Sequence, residues 1–192
     1  MRPFVPIAVL AFALVASGCG SSKAKEQPGP APDVLPRAAT ADQWARRVVD
    51  FLLRPLNRDL VVLQSFDSPQ VRIYITTRNA QTLRIIHRRL GDLRRCSRKL
   101  VVIGPPPRGK AALARVHEHL RKACAAYEDV ARNLLEATDL LSAGRADATG
   151  RGEQAARAAR APSARAAKEL MAGIKIAQSL PPFRRAGLRP SV

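Results

Sequence analysis

Residues 100–113, LVVIGPPPRGKAAL, decide how the chain is to be read. Apolar Leu100–Ile103 runs into Gly104, and four residues later come Gly109 and Lys110. That is the GxxxxGK spacing of a phosphate-binding loop between a strand and a helix. Such a loop works by turning successive backbone N–H groups onto phosphate, with a Ser or Thr after the Lys to hold magnesium. Here Pro105, Pro106 and Pro107 supply no N–H, and residue 111 is Ala. Proline also locks φ where the loop needs a tight nest. The letters match and the chemistry does not. The same residues make sense as a helix end at Gly104, a proline turn and a new helix after Lys110.

Outward from this turn the pattern stays helical. Downstream, Leu113, Val116, Leu120, Cys124, Tyr127, Ala131, Leu134, Thr138 and Leu141 alternate three- and four-residue steps, predicting a long bundle helix over 110–142 that Gly144 ends. Upstream, Leu83, Ile86, Leu90, Leu93, Cys96 and Leu100 trace one face of a helix that Thr82 can cap. Trp44, Val48, Phe51, Leu52, Leu56, Leu60 and Leu63 trace another, capped by Thr40 or Asp42 and kinked or split by Pro55. Residues 69–78 are ambiguous. Val71, Ile73 and Ile75 alternate as in a strand, but a lone strand would lack a partner, and Ser68-Pro69 suits a helix start. A short helix is favoured. The Ala/Arg-rich stretch after Arg145 is close to low complexity; Pro162 breaks it and Ser163 can cap a last helix buried through Leu170, Ile174 and Ala177. The predicted fold is all-α: an antiparallel bundle of about four main helices over residues 40–182, with a frayed basic tail at 183–192.

The N-terminus carries a different signal. Arg2 precedes an apolar run from Phe4 to Ala16, too short to span a bilayer, and Ala16-Ser17-Gly18-Cys19 follows. These residues resemble the signal peptide and lipobox of bacterial lipoproteins, although Ala16 stands where that family most often has Leu. The resemblance covers residues 1–19. It implies cleavage after residue 18, diacylglycerol and palmitate on Cys19, and a place on the outer side of the cell membrane. Residues 19–39 are rich in Ser, Pro and small polar side chains and read as a flexible tether. About 20 residues at roughly 3.1 Å each give it a reach of up to about 60 Å. Cys19, Cys96 and Cys124 are the three cysteines. Lipidation of Cys19 leaves a pair in an oxidising compartment, where a Cys96–Cys124 disulfide is expected, the counter-reading being two buried thiols.

The chain is strongly basic, with a formal net charge of +18, and seven of its 33 basic residues are Lys. Such a balance marks an anion binder or a compositional bias. Arg84, Arg88, Arg95 and Lys99 crowd one helix, and Arg157 and Arg160 stand on another; these are the candidate anionic-surface residues. Nucleic acid is disfavoured by the exported location and by the lack of interleaved aromatics. The expected partners are anionic phospholipid, a cell-wall polymer or an acidic envelope protein. No cofactor, metal site or catalytic residue is expected. His117 and His119 are not HExxH and do not share a helix face, so they read as solvated helix histidines. Most carboxylates sit among Arg, where local ion pairs account for them. The expected function is non-enzymatic binding or scaffolding, the alternative being a small-ligand sensor with a cavity between helices.

Overall fold

The computed structural model describes Ala38 and residues 40–189. The expected signal segment, Cys19 and the tether up to residue 37 lie outside them. Among the described residues there is no strand, and the chain folds as four antiparallel limbs. The first is α1 (Ala41–Arg47), a π-helical turn (Val48–Leu53) and α2 (Arg54–Ser65). α3 (Pro69–Thr76) links it to the second limb, α4 (Ala80–Leu93) and α5 (Cys96–Ile103). The third limb is α6 (Ala111–Ala143), 33 residues and about 50 Å long. The fourth is α7 (Ala146–Ala158) with α8 (Arg160–Ser179), followed by the short α9 (Pro181–Arg185).

Cross-limb contacts fix the direction of each limb. Arg78, just ahead of α4, bonds to Ser142 and Ala143 at the end of α6, whereas Cys96 of α5 meets Cys124 near its middle. The second limb therefore runs antiparallel to α6. The fourth does too: a Cβ on Gly152 would touch Leu140 and Leu141, and one on Gly173 would touch His119. In the first limb Trp44 meets Gly104 while Asp59 meets Arg89 and Lys99, so it runs antiparallel to the second. Every predicted seam residue of α6 is buried. Ala123, Ala126, Val130 and Ala137 are buried as well, because α6 is covered from several sides by the other limbs.

Residues 69–76 are helical, with the Ser68 side chain accepting from the Val71 N–H at 3.3 Å. Other expectations are corrected. α4 begins earlier than Thr82: Asn79 is its cap and accepts from the Thr82 N–H at 2.9 Å. The second limb breaks at Arg94–Arg95, and the Glu128 carboxylate of α6 receives the orphan Ser97 N–H at the new helix start, at 2.7 Å. Pro55 does not split the first limb. The π turn ahead of it widens the helix where proline cannot supply its N–H. The wider turn rotates Phe51 outward, to 55% exposure, and brings Val48, Val49 and Leu52 inward. α7 is an ordered helix where low complexity suggested none, and α8 starts at Arg160, with Pro162 buried in its first turn rather than breaking the limb. Proline there loses an N–H that has no intrahelical partner anyway.

The domain also extends past residue 182. Phe183 of α9 is fully buried and stands edge-on to Trp44, with ring centroids 5.8 Å apart. Arg185 binds Asp42 at 2.7 Å. The segment expected as a frayed tail thus closes one end of the core up to about Leu188, which packs against it. Its short length and its arginines hid the single aromatic that anchors it.

Two glycines of α7 make a paired test of close packing. A Cβ on Gly152 would lie 2.9 Å from Leu141 Cγ, whereas one on Gly150 would meet nothing within 4 Å. Gly150→Ala is expected to raise stability by about 0.5–1 kcal/mol through helix propensity. Gly152→Ala is expected to lower it by about 1–3 kcal/mol through overpacking. Urea unfolding midpoints of the two variants check the opposite signs.

Candidate functional site

The basic residues singled out in the sequence fall into two groups. Arg84 and Arg88 are exposed on the outer face of α4 and make no ion pair among the described residues. The other four are engaged. Arg95 binds Asp92 at 2.8 Å, Arg157 lies 3.8 Å from Glu153, and Arg160 lies 3.8 Å from Asp67. Lys99 is only 28% exposed and reaches Asp59 at 3.6 Å.

Asp59 explains the position of Lys99. Its side chain is 3% exposed and also receives Arg89 at 3.3 Å, so two cations from the second limb clamp one buried carboxylate of the first. Burial pushes the Asp59 carboxyl above its ordinary range, while Lys99 and the Arg89 hydrogen bond pull it down. This is a structural bridge between limbs, and removing one partner would leave a buried charge without compensation.

Arg78 is a second arginine with structural work. It is the only non-glycine residue at positive φ (57°) among the described residues. Its Nε and guanidinium NH2 donate to the Ser142 and Ala143 carbonyls, both at 2.8 Å. A cation there satisfies orphan carbonyls and faces the negative end of the α6 dipole.

His87 is exposed, but His117 and His119 are half-buried rather than solvated as expected. His119 Nδ1 lies 2.7 Å from Glu169 Oε2 across the α6–α8 interface, and His87 lies 3.3 Å from Asp139. His117 sits beside Trp44, with ring centroids 6.2 Å apart. These partners are distant in sequence, so no local spacing signals them. Among the described residues no three His, Cys, Asp or Glu side chains gather as a metal site.

Burial holds the His117 imidazole below its ordinary range; Glu118 opposes that shift and Arg121 adds to it. The unfolded chain therefore takes up this proton more readily than the folded one. The His117 contribution to stability is complete above its ordinary pKa of 6.5 and is lost as pH falls below it towards the lower folded value. Urea midpoints measured between about pH 7 and pH 5 should fall, and His117→Gln should flatten that slope. An unchanged slope in the variant would rule out His117 as its source.

The Gly104–Lys110 segment behaves as a helix connection. The Gly104 N–H bonds back to Leu100 and Val101, both at 3.1 Å, with φ 78°, and its carbonyl receives the buried Trp44 Nε1 at 3.0 Å. The backbone polar groups of Gly104 are committed to the fold.

A shallow cleft of about 330 Å3 lies along α1 and the π turn, lined by Thr40, Asp42, Gln43, Arg46, Arg47, Asp50 and Phe51. It is open to solvent and runs beside one limb rather than between limbs. No described helix is long and apolar enough to cross a membrane. No protein-family model, curated protein or solved structure matches the chain.

Proposed function

We propose that the protein is a lipid-anchored, extracytoplasmic binding or scaffolding module, held to the cell membrane through Cys19 and using its surplus of basic side chains to dock on an anionic surface. The observation that carries the reading is cysteine use. Cys96 and Cys124 are joined in the core with Cα atoms 5.0 Å apart, which leaves Cys19, at the end of a lipobox-like run, as the third cysteine. A buried disulfide suits an oxidising compartment, and the Ser/Pro-rich stretch after Cys19 suits a tether. Two acyl chains are enough for stable anchoring.

The small-ligand alternative gains less support, because the cleft beside α1 is open and lined mainly by polar and charged side chains. The anchor is tested by expressing the wild-type chain and Cys19→Ala in a bacterium, then extracting the membranes with high salt. The wild type should stay with the membrane and carry a diacylglyceryl mass on its N-terminal peptide, and Cys19→Ala should not. A wild-type chain washed off by salt and starting at an unmodified residue would sink the proposal.

A further inference from the structure

One end of the bundle differs from the opposite end in charge pairing, and it is the end where the tether arrives. α1 begins here, α5 ends here, α6 begins here, and α8 runs into α9 here. Trp44 ties the end together through the Gly104 carbonyl, His117 and Phe183. Ala38, the last tether residue before α1 that is described, is already buried against the same core. The chain that leads back to Cys19 therefore leaves the domain at this end.

Arg46, Arg108, Lys110, Arg184 and Arg189 are all exposed here, and none makes an ion pair among the described residues. The acids beside Arg46 are occupied: Asp42 holds Arg185 at 2.7 Å and Asp50 holds Arg54 at 2.6 Å. The opposite end shows the reverse. Asp147 pairs with Arg145 and Arg151, Glu153 with Arg72 and Arg157, and Asp67 faces Arg160. These cations are thus left without an acid beside the attachment point, whereas at the far end five cations share three acids; Arg58, Arg94, Arg98 and Arg165, also without an ion pair among the described residues, lie along the flanks between the two ends. Arg84 and Arg88 lie on the flank of the second limb, towards the far end, where their neighbour His87 meets Asp139.

We infer that the Trp44 end is a membrane-docking face whose occupant is a bilayer rich in anionic phospholipid; this rests on the proposed lipid anchor. The tether alone permits the domain to stand up to about 60 Å from the membrane. Each basic residue near an anionic bilayer attracts it with a strength that fades over a Debye length, about 8 Å at physiological salt. Only an end that the tether lets approach the headgroups gains from that attraction. The five cations named lie beside the attachment point, whereas Arg84 and Arg88 lie towards the far end and reach the headgroups only when the domain lies on its side.

Trp44 is the sole tryptophan of the chain and lies at this end, so it reports docking without a label. The anchored full chain is reconstituted in vesicles that contain a dansyl-headgroup lipid, either neutral phosphatidylcholine or a mixture with phosphatidylglycerol. Energy transfer from Trp44 should be at least about twofold higher in the anionic vesicles and should fall to the neutral level near 1 M salt, where the Debye length is about 3 Å. Reversing four charges (Arg108→Glu, Lys110→Glu, Arg184→Glu and Arg189→Glu) should abolish the difference. Arg84→Glu with Arg88→Glu should leave it intact, and thermal melts should show both variants folded. Equal transfer in the two vesicle types, or an equal loss from the flank pair, overturns the inference. Co-flotation of the unanchored Cys19→Ser chain separates this face from the anchor. It should bind anionic vesicles only, and the four reversals should weaken that binding about 600-fold or more, taking roughly fivefold per residue. A wild-type chain that, like Cys19→Ser, floats with anionic but not with neutral vesicles refutes the anchor and keeps the face. Binding of the Cys19→Ser chain to isolated cell wall but not to vesicles refutes the bilayer as occupant.

Discussion

Replacing Trp44 with alanine should lower the stability of the fold by about 3–5 kcal/mol, read as a shift of the urea midpoint at unchanged slope. Trp44 is completely buried, and three parts of the chain meet on it: the Gly104 carbonyl after α5, His117 on α6 and Phe183 on α9. Alanine removes the packing volume and leaves a buried carbonyl without its donor, which costs about 1–3 kcal/mol by itself. A domain of this size is stable by only about 5–15 kcal/mol, so the variant should be marginal. Trp44→Phe separates the two effects, since it keeps most of the ring and loses the Nε1–H; it should fall by about 1–3 kcal/mol. Phe183→Ala should cost about 3–5 kcal/mol, and a double-mutant cycle with Trp44 should show about 0.5–1.5 kcal/mol of coupling from the edge-to-face pair. A stable Phe183→Ala protein with an unchanged midpoint would return residues 183–189 to the status of a tail.

These effects could not be foreseen residue by residue, because they depend on limbs meeting. The seam of α6 was legible in the sequence since helical period is a local property, and so were the stops at Gly104 and Gly144, which adopt φ 78° and 71°. Phe51 was misplaced because a single π turn shifts the helical register, and no residue spacing announces it. Lys99 looked like its neighbours Arg94 and Arg98, and only the approach of Asp59 from another limb sets it apart. The basic end was hidden for the same reason. Arg46, Arg108 and Arg184 are far apart in the chain and become neighbours only when the four limbs are stacked.

Cutting the Cys96–Cys124 bond should cost about 3–4 kcal/mol in the chain-entropy account, and lower the melting temperature by about 10 °C for a domain of this size. The sequence left a geometric difficulty here, because the two cysteines are not equally far from the proline turn. Cys96 opens the eight-residue α5, whereas Cys124 is well over three turns into α6. The mismatch is about six residues, or roughly 9 Å along the helix axes. A tight hairpin could not absorb it. Gly104–Pro107 is neither helix nor turn, and three prolines held extended span about 9 Å at roughly 3.1 Å each. The proline run thus acts as a strut that carries the chain back along α6 before the helix starts, which lets the cysteines meet with Cα atoms 5.0 Å apart. The bond closes a sequence separation of 28 residues, and the unfolded chain without it regains that loop entropy. Both cysteines are 1% exposed, so reduction should need partial unfolding, and the loss should appear in urea melts run with reductant and in Cys96→Ala with Cys124→Ala. The reduced fold should still be held in register by Glu128 on the Ser97 N–H and by Arg78 on the end of α6. Its circular dichroism should therefore remain helical below the lowered midpoint. A midpoint indifferent to reductant would mean that the unfolded chain gains nothing from opening this loop, and would remove the disulfide from the forces that hold the second and third limbs together.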